Sequence, residues 1–443
     1  MRLFKALYFS PRFHTLAFVL VFSHIFAYLL PAVSIIADLL LYFSLALLII
    51  DYCWLFLTKK GLSAERHCAE KFSNGDENQV SVWVENHYAN PVGIALYDEL
   101  PEQLQIRDQQ FSTTLKTGEV KEFNYSIRPT KRGEYHFGNI NLLVNTPIGL
   151  LKRRYILGTE KTVSVYPSFV QMRKYELLAL SNQLQAFGVK KIRRIGNNME
   201  FEQIKNYVSG DDYRKVNWKA TARKAALMVN QYQDERSQQV YSVIDKGRVM
   251  QMPFEGLSLL DYAINASLVI SNIALKKGDK AGIITFQHKV NSILPASSRN
   301  MQLNLILEHL YKQKTAYKES DFGQLYANIK RKVTQRSLIL LYTNFESLSA
   351  LHRQLPYLKR IRQHHLLVCI FFENTEVTKL TKSKASDLEE VYTKGIAEQL
   401  LLEKRLIAKE LQRHGIHSIL TPPEQLSVNT INKYLELKSR GLI

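Results

Sequence analysis

Three rhythms of apolar and polar residues divide this chain. From Phe13 to Ala37 no residue carries a formal charge, and after Asp38 a second apolar run, Leu39 to Leu57, is broken only by Asp51. At about 1.5 Å per residue such runs cross a hydrocarbon core of roughly 30 Å. Two membrane helices are therefore predicted over about 13–32 and 36–57, within a hairpin spanning 1–62. From Cys68 to Pro167 the period drops to two. Val80, Val82 and Val84 alternate with polar neighbours, as do Phe123, Tyr125 and Ile127, and Ile140, Leu142 and Val144. Turn signals at Asn74-Gly75, Asn90-Pro91, Thr117-Gly118 and Arg132-Gly133 separate these runs. Short strands at such spacing predict an immunoglobulin-like β-sandwich over 66–167.

Beyond a connecting segment at 168–236, strands and helices alternate over 237–443. Strands are expected at Val240–Ile244, Ala281–Phe286, Ser337–Tyr342, Leu366–Phe372 and Ile416–Leu420. Val290–Leu294 follows its predecessor too closely for a parallel crossover and should be an antiparallel edge. Helices are expected at Leu257–Leu275, Met301–Lys312, Phe322–Lys332 and Ser386–Arg413, with a last one from Glu424. The fold class is α/β, ending in an open mixed sheet with helices on both faces.

Charge adds location. The net charge of +19 fits an anionic membrane surface, an acidic protein or a nucleic acid. Arg2, Lys5 and Arg12 precede the first apolar run, Lys59, Lys60 and Arg66 follow the second, and the connector has neither Lys nor Arg. The positive-inside bias puts both termini in the cytoplasm, in a two-pass topology. Cys53, Cys68 and Cys369 are scattered, giving neither a disulfide framework nor a zinc spacing. Asp51, an ionisable group within the second span, is expected to snorkel or to pair with a neighbouring helix.

One block, YVSGDDYRKVNWKATARKAALMVNQYQDERSQQVYSVIDKGRVM (207–250), carries the most specific signal. Gly210-Asp211-Asp212 suits a tight turn capping a helix from Tyr213 to about Ala225. On that helix Arg214, Trp218 and Thr221 would share a face, with Lys219 and Arg223 beside them. Trp218 is either an interface hot spot or a core anchor with a charged rim. Lys190-Lys191-Ile192-Arg193-Arg194 upstream is a basic cluster able to touch anionic lipid or remain a solvated loop. The block resembles the signature of the bacterial domain-of-unknown-function 58 family. Arg128–Tyr135 and Thr146-Pro147-Ile148-Gly149-Leu150 resemble further family segments. The resemblance implies a von Willebrand factor A-like C-terminal domain in a bacterial inner-membrane protein. It also implies a non-enzymatic adaptor with a MoxR-type AAA+ ATPase as partner, acting through Asp211, Arg214, Trp218, Lys219, Arg223 and Asp245.

In metal-binding relatives of that fold, Asp-x-Ser-x-Ser, a Thr and a second Asp surround a cation such as magnesium. Here the loop reads Asp245-Lys246-Gly247-Arg248-Val249, and the second Asp is Asn344. Ser320 and Asp321 stand near the Thr position, so Asp245, Ser320, Asp321 and Asn344 form at most a degenerate site, and no cofactor is expected. Asp245 should instead pair with an Arg or cap a helix. No phosphate-binding Gly-rich loop, GxSxG elbow or HExxH occurs. The competing readings are a metal-dependent, membrane-tethered hydrolase using Glu200, Glu202, Asp211 and Asp212, and a module binding anionic lipid or nucleic acid. A nucleic-acid partner is not expected, because no recognised binding module accompanies the basic and aromatic residues.

Overall fold

The computed structural model describes residues 6–443 apart from 31–32, 59, 107–108, 159, 174–199, 210, 234–236, 316 and 383–386; side chains at 200–203 and 231–233 are likewise not described. The chain is a mixed α/β protein that divides into two compact units, Met1–Tyr166 and Pro167–Ile443.

The first unit opens with strand β1 (Leu7–Phe9) and two apolar helices, α1 (Pro11–Leu29) and α2 (Ser34–Leu57). Ser10 caps α1 by accepting from the Phe13 amide, and Pro11 takes the first helical position, where a missing N–H costs nothing. At 19 and 24 residues both helices are long and apolar enough to cross a membrane. Their apolar side chains are mostly exposed, as lipid-facing residues would be. The observed ends are two residues earlier at the start of each helix than the hydropathy runs suggested, because Ser10 and Val33 set the N-termini.

Ten strands follow: β2 (Leu62–Cys68), β3 (Lys71–Ser73), β4 (Asn78–Asn86), β5 (Val92–Asp98), β6 (Gln110–Leu115), β7 (Val120–Ile127), β8 (Gly133–Phe137), β9 (Ile140–Asn145), β10 (Leu151–Leu157) and β11 (Lys161–Tyr166). They form sheets ordered β1-β10-β9-β5-β6, β2-β4-β7 and β3-β11-β8. The period-two residues named above all face one shared apolar core. Arg66 departs from expectation. Rather than joining the basic flank of the hairpin, it is buried in that core, where its guanidinium bonds Asp98, which also accepts from the Tyr125 hydroxyl. A buried guanidinium is tolerable only when paired in this way.

Asp51 is also corrected. It neither snorkels nor meets another helix; its carboxylate is fully buried against the loop between β9 and β10. There it accepts from the Thr146 hydroxyl and from the amides of Leu150 (2.9 Å) and Leu151 (2.8 Å). The other end of the hairpin grips the same loop. The Ser10 amide donates to Leu150 O, its hydroxyl to Gly149 O, and Arg12 to the carbonyls of Pro147 and Ile148. The last carbonyls of α2 are met by Arg153 and by the Tyr88 hydroxyl, which caps Leu55 O at 3.1 Å. The Thr146–Leu150 segment is therefore a socket for the hairpin.

The second unit begins, among the described strands, with an antiparallel ribbon of β12 (Glu200–Asn206) and β13 (Met228–Gln233). Between them lies α3 (Trp218–Lys224). Strand β14 (Gln239–Asp245) starts the main sheet, followed by the short ribbon β15 (Pro253–Phe254) and β16 (Leu257–Ser258). Then come α4 (Leu259–Lys276), β17 (Lys280–Phe286), β18 (Val290–Ser297), α5 (Gln302–Tyr311), α6 (Phe322–Lys332) and β19 (Leu338–Tyr342). The chain continues through α7 (Leu348–His364), β20 (Leu366–Phe372), α8 (Thr375–Lys382), α9 (Leu388–Arg413), β21 (His417–Thr421) and α10 (Leu426–Ser439).

The sheet order is β18-β17-β14-β19-β20-β21, parallel except for the edge strand β18. Separate apolar clusters cover its two faces. Helix α4, buried almost all round, starts from a capping box of Ser258 and Asp261. Helices α7 and α8 were not anticipated. Leu351, Leu355, Leu358 and Ile361 do form a buried stripe on α7, but Pro356 and the intervening Arg, Gln and His residues disguise it.

Candidate functional site

Two places in the second unit hold the residues singled out from sequence. The first is the ribbon tip between β12 and β13. The continuous helix expected from Tyr213 to Ala225 is not formed. Tyr213–Lys215 make a 3-10 turn, Val216 extends to bridge Val229, and α3 begins only at Trp218. The break follows from the caps: Asp212 accepts from the Arg214 amide, and Asn217 starts α3 by accepting from Ala220. Arg214, Trp218 and Thr221 thus do not share one helical face.

The polar residues of the tip are spent on building it. Asp211 bonds the Lys205 ammonium at 2.9 Å and the Val208 amide at 3.0 Å, and these bonds hold its carboxyl below the usual range. Asn217 also donates to Asn230, and Thr221 accepts from the Met228 amide at 3.0 Å. The outward side chains include aromatic, basic and aliphatic ones, Val208 and Leu227 among the last. Tyr213 is 70% exposed and Trp218 73%, which removes the core-anchor reading of Trp218. Arg214, stacked over the Tyr213 ring, is exposed beside Lys219, Arg223 and Lys224. Gly210 and the Lys190–Arg194 cluster lie outside the described residues, and so do the side chains of Glu200 and Glu202.

The second place is the carboxyl end of β14 and β19, where neighbouring strands leave the sheet in opposite directions and a crevice opens. A cavity of about 80 Å³ is lined there by Asp245, Arg248, Ser320, Thr343, Asn344 and Arg353 among others. Among the described residues Asp245 pairs with no Arg and caps no helix, contrary to expectation. One oxygen accepts from the Ser320 hydroxyl and the Gly247 amide, the other from the Thr343 hydroxyl at 2.7 Å. Burial pushes its carboxyl upward, and these donors oppose the shift. A Cβ on Gly247 would overlap Ser320 Oγ, so the serine hydroxyl fills the space that a side chain at 247 would take.

Asn344 Oδ1 accepts from the Lys404 ammonium of α9 at 2.7 Å. Sequence reading missed Lys404, since a lone Lys in a charged helix carries no signal. Burial brings its ammonium down to about 8. Asp321 does not join the cluster; it caps α6 through the amides of Gly323 and Gln324. Both Asp245 oxygens already accept hydrogen bonds, and an ammonium holds the Asn344 oxygen. Among the described residues no group of three or more His, Cys, Asp or Glu is placed to hold a metal.

Together these features define a mixed α/β protein with two long apolar helices at its start and an exposed aromatic, basic tip. Residues 203–397 match the family described as Protein of unknown function DUF58. Uncharacterized protein YeaD of Bacillus subtilis (strain 168) is 25% identical over 187 residues, 42% of this chain and 44% of YeaD. The match thus spans less than half of that relative. Among solved structures, conserved hypothetical protein BatB from Bacteroides thetaiotaomicron matches 46% of this chain and 100% of its own at 14% identity and a TM-score of 0.31. The CARDB domain of PF1109 from Pyrococcus furiosus matches 24% of this chain and 94% of its own at 17% identity and a TM-score of 0.17. Likenesses at those TM-scores carry neither fold nor function to this chain.

Proposed function

We propose that this protein is a membrane-anchored adaptor that binds other proteins and does no chemistry of its own, with a MoxR-type AAA+ ATPase as its partner. The observation that carries this reading is the division of labour at the ribbon tip. Asp211, Asp212 and Thr221 are engaged in local hydrogen bonds, while Tyr213 and Trp218 face solvent. Exposed rings beside basic side chains, with Asp211 and Asp212 engaged in local bonds, favour binding over catalysis. The same engagement of Asp211 and Asp212 counts against a hydrolase built on them.

Within this proposal the first unit is a two-pass anchor in the bacterial inner membrane bearing an immunoglobulin-like sandwich. Both ends of the hairpin grip the Thr146–Leu150 loop, which supports placing both on the side of the sandwich, the cytoplasm. The second unit is a von Willebrand A-like module working without magnesium, its cation position taken over by hydrogen bonds and Lys404.

The test is direct binding of the full-length protein, in lipid nanodiscs, to the purified ATPase. Trp218→Ala should weaken binding by tenfold or more, as loss of a hot spot does, and EDTA should leave affinity unchanged. Equal affinity for wild type and Trp218→Ala would remove the tip from the interface. Absence of binding by the wild type would remove this partner.

A further inference from the structure

We infer that the protein surface met by the ribbon tip is acidic, with an apolar seat for Trp218 ringed by carboxylates; this rests on the adaptor reading. The tip, residues 204–230, carries six basic side chains (Lys205, Arg214, Lys215, Lys219, Arg223, Lys224) and two acidic ones, Asp211 and Asp212. Both acids are occupied from within, Asp211 by Lys205 and the Val208 amide, Asp212 by the Arg214 amide. The field that reaches outward is therefore positive, from exposed Arg214, Lys219, Arg223 and Lys224. These charges stand beside the exposed rings of Tyr213 and Trp218, on a segment whose main packing is against its own ribbon. A partner of opposite charge gains attraction and on-rate. The exposed Trp218 ring, once covered by the partner, would supply the apolar contact, and Arg214, pre-stacked on Tyr213, would offer its planar fork to a carboxylate.

Two other polyanions fit less well. Insertion into a lipid surface needs a helix with a broad apolar face, and in α3 (WKATARK) Trp218 is the sole large apolar side chain. Binding single-stranded nucleic acid uses a basic groove that follows the backbone, whereas here the basic groups ring the end of a ribbon and its short helix.

The experiment uses the full-length chain in its native membranes, with the photoreactive p-benzoylphenylalanine at Ala222, exposed one turn beyond Trp218. The same residue at Tyr317, which is 82% exposed elsewhere in the unit, serves as reference. Adducts are identified by mass spectrometry of the crosslinked peptides. The expected result is protein adducts at 222 on Asp- and Glu-rich segments. Their yield should fall at least fivefold when salt is raised from about 0.05 to 0.5 M, which shortens the screening length. The double variant K219E/R223E should cut the yield about tenfold. Adducts on protein segments without acidic excess, insensitive to salt, would overturn the inference and leave the adaptor reading standing. Adducts on lipid or nucleic acid alone would overturn both. No adduct at 222 while position 317 captures protein would also overturn the inference.

Discussion

Asp51→Ala probes the joint between hairpin and β unit. The wild-type carboxylate is fully buried and satisfies two backbone amides and one hydroxyl in the Thr146–Leu151 segment. Alanine leaves those donors facing a void that water reaches poorly. Each stranded buried donor costs about 1–3 kcal/mol. Allowing for partial relaxation, the loss is about 3–5 kcal/mol. For a unit of this size 1 kcal/mol moves the midpoint by roughly 2–4 °C, so a fall of roughly 6–20 °C is expected. The assay is thermal unfolding of the full-length protein in detergent, followed by near-ultraviolet circular dichroism. Asp51→Asn, which keeps one acceptor oxygen, should fall between. A double-mutant cycle with Thr146→Val should show coupling of about 1 kcal/mol or more, as residues in one hydrogen-bond network do. A midpoint for Asp51→Ala within about 0.5 kcal/mol of wild type, the range of an ordinary surface change, would refute the socket and return Asp51 to the lipid.

The remaining predictions concern the cores and the sheet end. Arg66→Met strands the buried Asp98 carboxylate and should destabilise by about 3–5 kcal/mol, read from urea unfolding; R66M with D98N should recover part of the loss. Gly247→Ala forces a Cβ into Ser320 Oγ and should cost about 1–3 kcal/mol through overpacking, and the G247A/S320G double variant, which removes that clash, should be destabilised by less than the sum of the two single changes. Lys404 binds its proton less tightly folded (about 8) than unfolded (about 10.5), so the unfolded state holds more protons between those values. Its contribution to stability therefore rises as pH climbs from about 8 to 10.5. Lys404→Met removes this titration, so in pH-resolved denaturation the wild-type minus variant difference should increase with pH over that window; a difference that stays constant would count against a buried ammonium.

Much of the fold was readable because periodicity reports burial directly. Val80, Val82 and Val84, the all-round apolar α4 and the short gap before β18 each betray their environment within a few residues. The site was less legible. Asp211 and Asp212 read as chemistry by residue type, yet local hydrogen bonds make them scaffold. Trp218 could not be assigned to core or surface, because a single Trp at a helix start fits both. Helix α7 was hidden by Pro356. Lys404 and Ser320 stand 60 or more residues from the groups they meet.

By itself, then, the order of residues determined the elements that rest on local preference and on the partition of apolar side chains: two membrane-length helices, period-two strands, alternating strands and helices, and the net positive charge. Tertiary structure alone decided the partners of buried polar groups. Asp51 met the Thr146–Leu151 segment, Arg66 met Asp98, and Asp245 met Ser320 and Thr343. The reason is physical. Apolar burial is non-directional and leaves its imprint on neighbouring positions, whereas a hydrogen bond or ion pair needs one particular atom within about 3 Å, and chain topology brings that atom from far along the sequence.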